Sequence, residues 1–213
     1  MGMTLLRKAE HRALTGFPLS GKVLDLGGDT RSEYRTMFSG DFSITTVNML
    51  PEAKPDILAD LEKPLPIADA SYDAVLLINV LEHVFEYRAL MLECARVLKT
   101  GGTIVIVVPY LFPYHASPSD FHRYSGEALS RSFAVSGFTD ACVTALGSGV
   151  VSARLVLTER LLPSPVQSIL SVFLHPLARA LDALSTAFAR ILRKQYDPAD
   201  YALGFFASAR KAV

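Results

Sequence analysis

Two unbroken apolar runs constrain this chain most: residues 72–78 (YDAVLLI) and 103–108 (TIVIVV). A strand with one wet face alternates apolar and polar residues. These runs hardly alternate, so each predicts a strand covered on both faces. Around them lie shorter strand-like runs. VLDL at 23–26 closes on Gly27-Gly28, and FSITTVNM at 42–49 is rich in β-branched residues. Residues 57–59, 138–145 and 201–209 also read as strands. Helical patterns fill 3–14, 31–39, 84–98 and 126–136, and Gly101-Gly102 stands where the third of these should be capped. Strands alternating with helices predict parallel strands joined by right-handed crossovers, hence a doubly wound α/β sheet with helices on both faces.

Composition narrows the class. Half of the 213 residues are hydrophobic and a fifth charged, which suits one globular domain with an appendage. Lys+Arg and Asp+Glu both count 21. The balance gives no reason to expect a nucleic acid as partner. Cys94 and Cys142 are too far apart for metal-site spacing and read as free thiols, so no metal is expected. The first residues, MGMTLLRKAEHRAL, lack an apolar signal-peptide core, so the cytoplasm is the expected location.

The expected organisation is a single domain over 1–213, with a core at about 20–149 and 197–213 and a helical insertion at about 150–196. In the insertion, Leu170, Leu174, Leu177, Leu181, Leu184, Phe188 and Ile191 recur at steps of four and three. That is a heptad-like apolar stripe. Arg154, Arg160, Arg179, Arg190, Arg193 and Lys194 stand against Glu159 and Asp182, a net +4. Prolines and polar residues interrupt the run, so it does not predict a membrane span. A cap on the domain, a homodimer contact and a peripheral seat on an anionic membrane are the three readings.

In a doubly wound sheet, ligands bind beyond the carboxyl ends of the strands. Those ends carry Asp25, Gly27 and Gly28, then Asn48, Asp60-Leu61, Asn79 and Glu82-His83. Asp25 is suited to accept from a ligand's ammonium group or to orient the loop. Each signal alone is weak, and Asp60 alone reads more readily as a solvated acid or helix cap. Together they sit where one nucleoside could touch all of them.

The order VLDLGG, DILADLEKPLPIADASYDAVLLINVLEHV and ARVLKTGGTIVIVVPY resembles class I S-adenosylmethionine-dependent methyltransferases, in particular the methyltransferase type 11 group. Its most specific element runs through Leu65, Pro66, Asp69, Ser71, Tyr72, Asp73 and Val75 to LEHV. The resemblance implies a Rossmann-like, seven-stranded, mostly parallel sheet of order 3-2-1-4-5-7-6, and S-adenosylmethionine as cofactor. It implies that Asp25, Gly27 and Gly28 wrap the methionine part. Asn48 and Met49 would meet ribose and adenine, Asp60 and the Leu61 backbone the adenine amine, and Asn79 the methionine moiety. Asp29 and Arg31 replace two glycines of the usual turn, and Asn48 replaces an acid. These departures motivate a second reading, a cofactor-binding or scaffold protein without catalysis. A nicotinamide enzyme is disfavoured because G-x-G-x-x-G is absent after the first strand.

The loop at 110–124 should roof an acceptor pocket. His115 and His122, then His83, are the candidate general bases, because imidazole titrates near neutrality. Tyr110, Arg123 and Tyr124 are the candidate residues for holding a small-molecule acceptor, lipid-linked, quinone-like or glycan. The structural alternatives are that Arg123 and Asp120 pin the loop and that His83 packs its helix.

Overall fold

The computed structural model describes every residue except Met1, Gly2, Thr30 to Ser32, Arg160, Leu162, Lys194 and Val213. The roles expected for Arg31 in the turn and for Arg160 and Lys194 in the insertion's charge lie outside these residues, as does the side chain of Leu170.

Seven strands form one sheet: β1 (Gly21–Leu26), β2 (Phe42–Asn48), β3 (Ile57–Leu58), β4 (Tyr72–Ile78), β5 (Leu98–Pro109), β6 (Phe138–Leu146) and β7 (Gly204–Lys211). Their order is β3-β2-β1-β4-β5-β7-β6. All neighbours are parallel except that β7 runs antiparallel to β5 and β6. This is the Rossmann-like sheet and order implied by the resemblance. The two unbroken runs lie at its centre. Val75 and Leu77 of β4 pack with Cys94, Val97 and Phe133 on one face. Leu76 and Ile78 pack with Leu5, Leu6 and Leu14 on the other. Both faces are dry, so nothing selects for alternation.

The helices are α1 (Leu5–Leu14), α2 (Tyr87–Val97), α3 (Gly126–Val135), α4 (Val150–Glu159) and α5 (Ser164–Ile191). Two expectations are corrected. The segment expected to be helical at 31–39 holds a 3-10 helix, Glu33–Met37. Gly101-Gly102 do not cap α2, which ends at Val97 as buried Leu98 turns into β5. Along β4 the pairing advances from Tyr72 to Ala74 while β5 advances from Leu98 to Thr103. The surplus residues form a bulge in which Gly101 takes φ +74°.

The insertion docks by its polar side. Asp182 of α5 accepts from Val151 N–H at 2.8 Å and Ser152 N–H at 2.9 Å, satisfying free donors at the start of α4. Lys8 of α1 donates to His175 Nδ1 at 3.0 Å. His175, Ala178 and Asp182 are buried, whereas Leu177, Leu181, Leu184, Phe188 and Ile191 of the apolar stripe are exposed. The stripe therefore does not cap the domain. No helix among the described residues is long and apolar enough to cross a membrane.

Candidate active site

At the end of β1 the chain turns sharply beneath the first cleft. Gly27 has φ +77°, and a Cβ there would lie 2.5 Å from Val80 Cγ2. A Cβ on Gly28 would lie 2.2 Å from Asp25 Oδ2. Asp25 is fully buried. The Tyr34 hydroxyl lies 2.9 Å from both carboxylate oxygens, and Arg35 sits 3.4 Å away. Burial outweighs these partners and pushes the carboxyl up to about 6. Asn48 Nδ2 donates to the carbonyls of Gly27 at 3.1 Å and Gly28 at 3.2 Å, and its oxygen accepts from Leu50 N–H at 3.0 Å. Asp25 and Asn48 thus direct their polar atoms at the turn, the loop-orienting alternative for Asp25.

The first cleft, about 310 Å3, is lined by Gly27, Asn48, Met49, Asp60, Leu61 and Asn79, with His83 and Ser117 at its far end. Asp60 accepts from Glu62 N–H at 3.0 Å and faces Lys63 at 3.4 Å. The Glu62 N–H, foremost, holds its carboxyl below the usual range. Asn79 adopts left-handed backbone (φ +54°), and its N–H bonds the Val107 carbonyl at 2.8 Å. That conformation, uncommon for a residue with a side chain, turns the chain at the tip of β4.

A second cleft, about 490 Å3, is bordered by Arg7, Glu10, Asn79, His83, His115 and Ser117. A third, about 510 Å3, lies among Arg7, His11, Gly27, Glu33, Tyr34 and Asn79. Asn79 borders all three, and His83 and Ser117 border both the first and the second. Beside His83, Glu82 is fully buried, and neither carboxylate oxygen has a hydrogen-bond partner. His83 Nε2 stands 3.6 Å and His115 Nε2 3.7 Å from Glu82 Oε1. Each imidazole turns Nδ1 to a carbonyl, His83 to Ser119 and His115 to Pro113 at 3.1 Å. The nearby Glu82 carboxylate, foremost, raises the His115 pKa.

The roof loop is braced by charge. Arg123 grips Asp120 with both Nη atoms, and Asp120 also accepts from His115 N–H at 2.9 Å. The Arg123 guanidinium, foremost, lowers the Asp120 carboxyl to about 2.

Four expected acceptor-side residues do not border these clefts. Tyr124 is buried, and its hydroxyl donates to the Leu81 carbonyl at 3.1 Å. His122 sits among Phe85, Tyr87 and Tyr124, with Nε2 3.1 Å from the Phe85 carbonyl. Tyr110 packs on Phe205, and Arg123 pins the loop as its structural alternative predicted. Tyr110, His122 and Tyr124 found partners in β7 and α2 because their loop folds back over those elements, and Arg123 found its partner within the loop. His83 and His115 do border the second cleft. Sequence reasoning missed Arg7, Glu10 and His11 of α1. Their i, i+3, i+4 spacing put them on one polar face, a signal that existed without saying what the face covers.

Residues 30–106 match a family model described as a methyltransferase domain. A probable S-adenosylmethionine-dependent methyltransferase of Mycobacterium tuberculosis is 28% identical over 91 residues, covering 40% of this chain and 33% of that protein. A demethylmenaquinone methyltransferase of Tropheryma whipplei is 27% identical over 111 residues, covering 47% of this chain and 46% of that protein. The chain thus spans between a third and a half of the length of these relatives. A SAM-dependent methyltransferase structure from Archaeoglobus fulgidus superposes with a TM-score of 0.56 at 17% identity, covering 96% of this chain and 92% of that one. At that identity the likeness speaks to the fold alone.

Proposed function

Because its central segment belongs to the type 11 group of class I methyltransferase domains, we propose that this chain transfers the methyl group of S-adenosylmethionine to a small-molecule acceptor. One observation carries the reading. A nucleoside-sized cleft at the strand ends shares the wall formed by Asn79, His83 and Ser117 with a second cleft large enough for an acceptor. Methyl transfer is an in-line displacement, so the methyl carbon and the acceptor atom must touch, which requires the two clefts to open into each other where they share these residues.

The cofactor lies in the first cleft. Asp60 accepts from the adenine amine beside the Leu61 N–H. Met49 covers the base, and Asn48 supports the ribose side by holding the glycine turn. Gly27 and Gly28 let the backbone approach the methionine part, while buried Asp25 fixes the turn beneath them. Asn79 and Arg7 face the methionine end, where Arg7 is suited to its carboxylate. The acceptor enters the second cleft. Its heteroatom forms a bond to the methyl carbon as the sulfur–carbon bond breaks, leaving S-adenosylhomocysteine. His83 and His115 border that cleft and are the proposed acceptors of the acceptor's proton, once a ring nitrogen turns from its present contact. The T. whipplei relative's printed name makes a quinol-like acceptor the first to try.

Calorimetric titration with S-adenosylmethionine and S-adenosylhomocysteine, followed by radiolabelled methyl transfer to quinol, phenol and glycan acceptors, tests this. Saturable binding weakened by Asp60→Ala, with label transferred, is expected. Binding without transfer would favour the scaffold reading. No binding at millimolar ligand would overturn both.

A second element concerns location. On α5, Ile169, Phe173, Leu177, Leu184, Phe188 and Ile191 are each more than half exposed. The helix's exposed charges are the cations Arg179 and Arg190, since Asp182 is buried against α4. An apolar face flanked by cations fits an anionic membrane surface. Flotation with phosphatidylglycerol vesicles, lost in Phe173→Asp/Phe188→Asp, is expected. A concentration-dependent dimer with no flotation would assign the face to a second copy.

A further inference from the structure

We infer that Glu82, His83 and His115 form a binding site for a divalent first-row metal ion of the zinc class, on the wall between the two clefts. Three donor atoms, Glu82 Oε1 and the Nε2 atoms of both histidines, converge within 4.8 Å of one another. The two oxygen–nitrogen separations are 3.6 and 3.7 Å. Those are too long for hydrogen bonds. They lie close to the edge of about 3.4 Å expected between ligands of a tetrahedral zinc ion. The third separation, between the two imidazole nitrogens, lies within 4.8 Å, so ion binding would draw the rings together by up to about 1.4 Å.

Two independent observations point to a ligand here. First, the Glu82 carboxylate is fully buried with both oxygens unpartnered. A buried carboxylate without partners is strongly disfavoured, so something must compensate it. The cation of the roof loop, Arg123, directs its guanidinium at Asp120. Second, both histidines already have the outer contacts that metal-bound imidazoles make. Their Nδ1 atoms engage the Ser119 and Pro113 carbonyls. A carbonyl can only accept, so each Nδ1 carries a hydrogen and each Nε2 faces Glu82, where the neutral ring would offer its lone pair to an ion.

Two histidine nitrogens and one carboxylate oxygen form a donor set suited to zinc, cobalt or iron(II) rather than magnesium or calcium. With three protein ligands, the ion keeps an open position. His83 and His115 border the second cleft, so an acceptor there would be the nearest ligand to fill that position. There the ion would bind a hydroxyl and lower its pKa. The proton then passes to water, the oxygen bonds the methyl carbon and the sulfonium becomes a thioether. In this form the histidines hold the ion, and the ion replaces them as the activator of the acceptor. The catalytic role rests on the methyl-transfer reading, but the metal binding does not.

The test uses the full chain, stripped with EDTA and dialysed. Zinc alone is titrated by calorimetry, and cobalt(II) alone is followed by its visible absorption. One ion per chain is expected, with micromolar or tighter affinity and an absorption band of tetrahedral strength. Glu82→Gln and His115→Gln should each weaken binding at least about 100-fold. Glu82→Gln keeps the shape of the side chain, and its circular dichroism and melting curve establish that it folds. No saturable zinc binding at about 100 μM, or wild-type affinity in both variants, overturns the site. A balancing imidazolium would then remain as the compensation for Glu82. S-adenosylhomocysteine is titrated into the same samples. Its binding without zinc binding sinks the metal site alone, and the reverse sinks the methyl-transfer reading alone.

Discussion

Replacing Gly28 by alanine should be far more damaging than its small size suggests. The added Cβ would stand 2.2 Å from Oδ2, 2.4 Å from Cγ and 2.8 Å from Oδ1 of Asp25. Ordinary contact lies near about 3.5 Å, so the carboxylate or the turn must move by about 1 Å. The carboxylate cannot move freely. It is fully buried, with the Tyr34 hydroxyl at 2.9 Å and Arg35 at 3.4 Å. Overpacking costs about 1–3 kcal/mol. Losing the Tyr34 hydrogen bond to a charged group adds about 1.5–3 kcal/mol. A loss of about 3–5 kcal/mol is therefore expected by these principles. Gly101→Ala is the control, because its φ is +74° but nothing lies within 4 Å of the new Cβ. Backbone strain alone should cost about 1–2 kcal/mol there. Urea unfolding followed by far-ultraviolet circular dichroism measures both, and titration with S-adenosylhomocysteine reads the turn directly. In an Asp25→Ala background, the cost of Gly28→Ala should largely vanish, because the clashing atoms are gone. The reasoning is refuted if Gly28→Ala costs no more than Gly101→Ala, or if the two Gly28 effects are equal with and without Asp25.

Asp25 also sets a pH dependence. Its folded pKa of about 6 lies above the ordinary 3.8, so its stabilising contribution is present below about pH 4 and lost as pH rises through 6. That shift corresponds to about 3 kcal/mol. Urea midpoints at pH 4.5 and 8 should show wild type losing stability relative to Asp25→Asn, and a pH-independent difference would contradict this. Asp182→Ala should cost about 2 kcal/mol by leaving the Val151 and Ser152 N–H groups unpaired, and limited proteolysis should cut α5 faster. Tyr124→Phe should cost about 1 kcal/mol by removing the bond to the Leu81 carbonyl while leaving cofactor and acceptor affinity unchanged. A loss of acceptor affinity there would return Tyr124 to the acceptor-holding role expected from the sequence.

What was legible in the sequence is what local chemistry writes into consecutive residues. The double-sided burial of β4 and β5 appeared as unbroken apolar runs, and the closure of β1 appeared as Gly27-Gly28. The residues lining the first cleft followed, because the sheet order places each strand end, and whatever polar residue occupies it, along one edge. The apolar stripe of α5 was equally visible, but periodicity marks a face without saying which way it points. Only the Asp182 and His175 contacts turn that face outward. Gly101-Gly102 misled because glycine suits a helix cap and a strand bulge alike, and the choice depended on where Leu98 could be buried.

By itself, the sequence determined the α/β class, the strand order through its resemblance, and the strand-end residues that line the first cleft. The tertiary structure alone decided which side chains of the 110–124 loop border the second cleft. His83 and His115 are 32 positions apart, yet their rings lie 5.2 Å from each other, while His122 and Tyr124 from the same loop went to aromatic and backbone partners. Side chains on a long loop choose their neighbours by the path of the backbone through space. No spacing along the chain encodes that path.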